Sequence, residues 1–305
     1  MISVMHLATE LTLSPIPARP LVGSQGTDGM QSSERYLTRP VEWPTPRTDA
    51  RSVASAVVIS VVVLVAALVS VGSALEGAGA AARYSLLFCL LMVLTMMFGM
   101  VFRGSTHRGQ DIRTSSINGS AVTQIRYSAL VFHLMTAMMA TITALCGGGA
   151  IEIYLNTRGE GFPGASVIFG AIGLFSASYL AAVLAGRLQR GSLMLSSDGI
   201  RQRGWSFESY LPWESVAGST AVHHGFPETL VIAYSNALWE RRYTTRLFRT
   251  DRLPLSPLIE IDTRQFAVDP VLLHHLVSFY ANDPATRAEL GTDAAITRAR
   301  ARDYP

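Results

Sequence analysis

The chain has 305 residues, 49% of them hydrophobic, with a mean hydropathy of +0.29 and a formal charge of +3. That length allows about two domains, and the hydropathy describes a membrane-embedded part joined to a water-soluble part. All 25 basic residues are arginine, a composition that points to a GC-rich genome, and residues 187–305 set fourteen arginines against thirteen acids; so even a balance excludes a nucleic-acid footprint.

Residues 1–51 are rich in Pro, Ser, Thr and Gly and carry five arginines and five acids without sustained periodicity, which predicts a disordered cytoplasmic arm. An n-region of that length does not suit a signal peptide. Residues 52–186 then hold four apolar segments, at about 53–75, 84–102, 127–150 and 162–186, which predict a four-helix transmembrane domain. The first contains thirteen Val, Ile or Leu residues. At about −0.4 kcal/mol each they give about −5 kcal/mol for insertion. Valine richness would favour strands in water, but an open strand edge has no partner in hydrocarbon, so a helix is expected.

The third segment carries His133 as its titratable group and reaches Gly147-Gly148-Gly149, read as a helix stop or a loosened last turn. In the fourth, Gly173, Ala177, Ala181 and Ala185 form a small-residue stripe of the kind that lets membrane helices approach closely, and it offers a homo-oligomer interface. Cys89 and Cys146 both fall within apolar segments, where packing is the expected role. Arginines fix the orientation. Arg35, Arg39, Arg47 and Arg51 precede the first segment; Arg103, Arg108, Arg113 and Arg126 separate the second from the third; Arg187, Arg190, Arg201 and Arg203 follow the fourth. The other two loops hold one arginine each, Arg83 and Arg158. Positive residues collect on the inner side, which predicts a multi-pass protein of the cytoplasmic membrane with both termini cytoplasmic.

The connection 103–126 reads as a polar cytoplasmic loop whose arginines set topology and can meet anionic headgroups. Asn118-Gly119-Ser120 matches a glycosylation acceptor, read here as chance. Beyond Arg190 the pattern becomes short and alternating. Strands are expected at 192–195, 200–203, 205–211, 229–235 and 258–262, with Asp198-Gly199 turning between the first two. Asp269-Pro270 opens a helix with Leu272, Leu273, Leu276, Val277 and Tyr280 on one face, and Asp283-Pro284 opens a shorter one stopped by Gly291. An α+β domain is therefore expected over 187–290, followed by a flexible tail, 291–305.

Ser197-Asp198-Gly199-Ile200, the later Leu211-Pro212-Trp213-Glu214-Ser215-Val216 and the Val268-Asp269-Pro270 helix start resemble bacterial PH-like domains attached to multi-span membrane proteins. Four spans followed by such a domain are similar to uncharacterised actinobacterial and mycobacterial membrane proteins. The resemblance implies a bent, partly open antiparallel barrel of about seven strands capped by the helix at 271–282, with two further strands near 219–223 and 239–247. It does not carry lipid binding with it. Phosphoinositide-binding members use a basic first hairpin loop, and here that loop is Ser196-Ser197-Asp198-Gly199.

Candidate chemistry is sparse. His223-His224 in a strand point to opposite faces, and His274-His275 on a helix diverge, so no metal or other cofactor is expected. His133 is the intramembrane titratable group, for which a proton-pathway role is weighed against simple packing, and packing is favoured. Methionines cluster in the second and third segments, where flexible packing is favoured over a soft-metal site. Between Trp239 and Arg252, Arg241, Arg242, Arg246 and Arg249 are interleaved with aromatics and suit a lipid headgroup or a protein partner. A non-enzymatic anchor or scaffold is therefore expected, with a small transporter or channel regulated by the soluble domain as the alternative.

Overall fold

The computed structural model describes residues 37–44, 50–103, 111–117, 119–157, 164–245, 247–249, 251, 253 and 256–305. Most of the predicted arm lies outside the described residues. Its segment 37–44 does not behave as a disordered arm. Trp43 is buried, donates from Nε1 to the Val222 carbonyl at 3.0 Å, and meets the His274 ring edge-on at 5.5 Å.

Four helices are long and apolar enough to cross a membrane: Val53–Leu75, Gly79–Phe102, Ala129–Thr157 and Gly164–Leu184. They belong to α1 (Ala50–Leu75), α2 (Gly79–Arg103), α3 (Ala129–Ile142) continued by α4 (Gly148–Thr157), and α5 (Gly164–Leu184). Their outward surfaces are apolar; Leu174, for example, is 74% exposed. Such surfaces are stable only with hydrocarbon as solvent. α1 packs on α2, α2 on α3, and α5 on the α3–α4 span.

Of the two sequence readings of the triple glycine, a helix stop or a loosened last turn, the stop does not form, and the loosening lies within the helix rather than at its end. The helix widens into a π-turn at Thr143–Gly147 and runs on to Thr157, because ending it in hydrocarbon would strand its carbonyls. Here the two spans touch backbone to backbone. A Cβ on Gly173 would sit 2.8 Å from the Gly147 nitrogen. The predicted stripe therefore divides: Gly173 is buried within the chain and Ala177 half-buried, while Ala181 and Ala185 remain exposed.

The polar connection between the second and third spans is not a loop. Ile112–Ile117 (β1) and Ser120–Arg126 (β2) form a hairpin, and β2 pairs antiparallel with Ser192–Leu195 (β3), Ile125 facing Leu193. Gly119, at φ +86°, makes its turn. Further strands are Gly199–Arg203 (β4), Phe207–Pro212 (β5), Val216–His223 (β6), Pro227–Ala233 (β7), Glu240–Tyr243 (β8) and Leu258–Asp262 (β9). They divide into a six-stranded sheet, β1-β2-β3-β4-β5-β8, and a three-stranded sheet, β6-β7-β9. The C-terminal part thus contributes seven strands, as expected, but β8 crosses to β5 and leaves β7 to pair with β9.

Between the sheets lies one core, including Ile125, Leu195, Ile200, Leu211, Val231, Ile259 and Ile261, closed by α6 (Pro270–Asn282) through Leu272, Leu273, Leu276 and Val277. Asp269 caps that helix, accepting from Val271 N at 3.0 Å. The segment after Asp283-Pro284 is a 3-10 turn, Pro284–Glu289, rather than a short α-helix.

Residues 291–305 are not a flexible tail. Asp293–Ala301 forms α7, with Thr292 accepting from Ala294 N, and it buries Ala295 and Ala299. Beyond it Tyr304 packs on Phe279, and Arg302 pairs with Asp269 at 3.1 Å. A threonine cap and two alanines four apart are enough to seat this helix against β1 and the 3-10 turn.

Candidate functional site

The four arginines singled out in the sequence lie on or just after β8, and alternation separates them. Arg241, opposite Ser209, stacks on Trp239 at 4.5 Å, whereas Arg242, opposite Glu208, is bound by that carboxylate at 2.7 and 3.0 Å. Arg249 stacks on Tyr243 at 5.0 Å. Arg246 lies outside the described residues.

Register assembles a different arginine set. Directly paired residues share a sheet face, and the ladder runs Arg126–Ser192, Ser192–Arg203, Arg203–Glu208 and Glu208–Arg242. One row thus crosses five of the six strands at the end nearest the helices: β2 ends at Arg126 just before α3, and β3 begins at Ser192 soon after α5. Glu208 takes hydrogen bonds from both Arg203 and Arg242. Beside the row, Arg190 reaches Asp111 at 2.8 Å and donates to the Tyr127 carbonyl; Arg113 also pairs with Asp111 at 2.8 Å. Four arginines thus meet two carboxylates where the sheet adjoins the helices, and the fifth, Arg126, donates to Gln124 Oε1 at 3.2 Å. Charge counting found Arg113, Arg126, Arg190 and Arg203 as topology signals and Arg242 as a headgroup or partner contact, but their alignment depends on pairings between distant strands.

A second missed feature is the segment after β8, which runs back along α5. Phe248 is buried against Phe175 at 5.3 Å and Tyr179 at 5.4 Å. Phe175 lies nine residues before the end of α5 at Leu184, about 13 Å at 1.5 Å per residue. Thr244 Oγ1 donates to the Arg187 carbonyl at 2.8 Å, and Thr245 Oγ1 closes the turn by accepting from Phe248 N at 2.9 Å. Asp251 pins the far end, accepting from the backbone N–H groups of Trp205 and Ser206 at 2.6 and 3.3 Å. Burial raises its pKa despite those two donors. Between this segment and α5 runs a groove of about 830 Å³, lined by Ser178, Ala181, Ala182, Ala185, Arg187, Tyr243, Thr244, Thr245, Leu247 and Phe248.

The remaining candidates separate. His275 donates from Nε2 to the Thr38 carbonyl at 2.8 Å, while His274 Nδ1 lies 3.1 Å from Thr229 Oγ1. Burial, then the neighbouring His275, lower the His274 pKa to about 4. His224 bonds Glu228 at 3.0 Å. His133 is exposed on α3, and Met96 accepts from Ser60 at 3.6 Å. Among the described residues no three His, Cys, Asp or Glu side chains are grouped to hold a metal ion. Across α2 and α4, Tyr84 donates to Glu152 at 2.7 Å, with Arg83 3.6 Å from the same carboxylate.

Fold and site together define a multi-pass helical membrane protein carrying an antiparallel-sheet region at one end of its helices. No family model, curated protein or solved structure matches the chain.

Proposed function

We propose that the protein is a non-enzymatic anchor or scaffold of the cytoplasmic membrane, with both termini cytoplasmic and a PH-like C-terminal domain docked on anionic lipid of the inner leaflet. The observation that carries this reading is the row Arg126–Ser192–Arg203–Glu208–Arg242 at the junction of sheet and helices. Arginines at that level are drawn to an anionic leaflet, at about 1 kcal/mol each near the surface. Packing of Trp43 on the same domain gathers the leading segment, the hairpin and the C-terminal strands on one side, in keeping with that orientation. The helix-capped face of α6 and α7 is the surface left for a protein partner.

The transporter alternative draws less support from the spans. Ser60, Thr95, Thr141, Thr143 and Ser178 donate to carbonyls of their own helices, which satisfies them without a polar path.

Hydrogen exchange of the full chain in nanodiscs tests the docking. Amides of β4, β5 and β8 near the row are expected to exchange more slowly with anionic than with zwitterionic lipid, and high salt is expected to remove the difference. Equal exchange in both lipids would overturn the reading.

A further inference from the structure

We infer that the groove between the end of α5 and the residues Tyr243, Thr244, Thr245, Leu247 and Phe248 is a binding site for one anionic phospholipid of the surrounding bilayer. This rests on the reading that the helices lie in a membrane with the sheet region at its surface.

The groove's lining has two parts, as such a molecule has. Ala181 and Ala185, small residues that leave room beside the helix, line it from α5, and Leu247, 63% exposed, lines it from the segment after β8. Phe248 closes the deep end by packing on Phe175 and Tyr179. In water this surface would be a liability, but alongside a membrane-crossing helix an acyl chain covers it. At the shallow end the lining turns polar. Arg187 lies at the rim just past the helix end, and Tyr243 carries the Arg249 guanidinium on its ring at 5.0 Å. Two cations above an apolar trough are complementary to a phosphodiester above its acyl chains. The seat is also built in advance. Thr244 ties the segment to Arg187, Thr245 closes its turn, and Asp251 anchors its far end, so little ordering is left for binding to oppose.

Native mass spectrometry of the detergent-solubilised full chain provides the test, with phosphatidylglycerol and phosphatidylcholine of identical acyl chains as probes. One phosphatidylglycerol is expected to be retained preferentially. Arg187→Gln with Arg249→Gln is expected to weaken its retention about tenfold and that of phosphatidylcholine, whose phosphate carries a choline counter-charge, much less, while Ala185→Trp, which fills the groove beside α5, should remove both. Arg300→Gln, on α7, controls for net charge, and an unchanged thermal transition controls for folding. Equal retention of the two lipids by the wild type would overturn the proposal, as would phosphatidylglycerol retention insensitive to both groove variants. Competition by soluble glycerol phosphate would also overturn it, since the acyl chain would then contribute nothing. A C-terminal reporter found outside the cell would instead defeat the anchor reading while leaving the in vitro retention as measured.

Discussion

The membrane helices and the sheet region are held together by opposite rules. In the helices many large apolar side chains point outward, and two spans meet through bare backbone, Gly173 on Gly147. The sheet region does the reverse. Leu193, Leu195, Ile200, Leu211 and Ile261 are 0% exposed, and Gln202, buried with them, donates to the Tyr127 hydroxyl at 3.1 Å and to the Glu260 carbonyl at 2.8 Å. Burial of apolar area drives the second kind of core. It contributes nothing between helices already dissolved in hydrocarbon, where close packing must serve instead.

Gly173→Leu gives the sharpest break of this contrast. Its side chain would meet backbone that cannot move aside, and a loss of about 3 kcal/mol is expected, seen as a collapse in the yield and thermal midpoint of the purified chain. Ala181→Leu, on the same stripe but exposed, is expected to stay within about 0.5 kcal/mol. Equal effects would mean that the stripe acts as a unit, as an oligomer interface would.

On the other side of the comparison, Trp43→Ala removes a buried indole that joins the leading segment to β6 and α6. A cost of about 3 kcal/mol is expected, together with new protease cleavage within residues 37–44. Unchanged proteolysis would show that the segment is held without its tryptophan.

The smallest effect concerns pH. His274 is held neutral, with its pKa lowered to about 4 from an ordinary 6.5. Between those values the unfolded chain binds the proton more readily, so the stabilisation from the neutral ring is complete above about pH 6.5 and is lost progressively as pH falls towards 4. His274→Gln keeps a partner for Thr229 without the titration and is expected to flatten that part of the thermal-midpoint profile. An identical profile in the variant would assign the dependence to another group.

How much of this could be read from the chain follows the same division. The spans were legible because hydrocarbon demands an unbroken apolar run, and composition alone records it. Legible too were Asp269-Pro270 and the alternation of Leu258–Asp262, since caps and half-buried strands are local signals. The β1–β2 hairpin is hard to read although Asn118-Gly119 is a strong turn signal, because its few apolar residues are split between faces, Ile112 and Ile125 on one and Ile117 and Val122 on the other. Trp43, a lone tryptophan in a polar stretch, was a hint of an anchored segment, and Thr292-Asp293 of a final helix. The arginine row had no local signature. It exists only through the register of β2 with β3 and of β5 with β8.

That register also orders assembly on the ribosome. The hairpin of β1 and β2 is made before α3, but its partner β3 follows α5, so the edge of β2 stays open until two more spans have entered the bilayer. A chain stalled at the third span leaves the row Thr123–Arg126 as an unpaired strand edge beside the membrane. Closure of the six-stranded sheet therefore has to wait for the last span, and until then the open edge of β2 is a template for unwanted strand pairing.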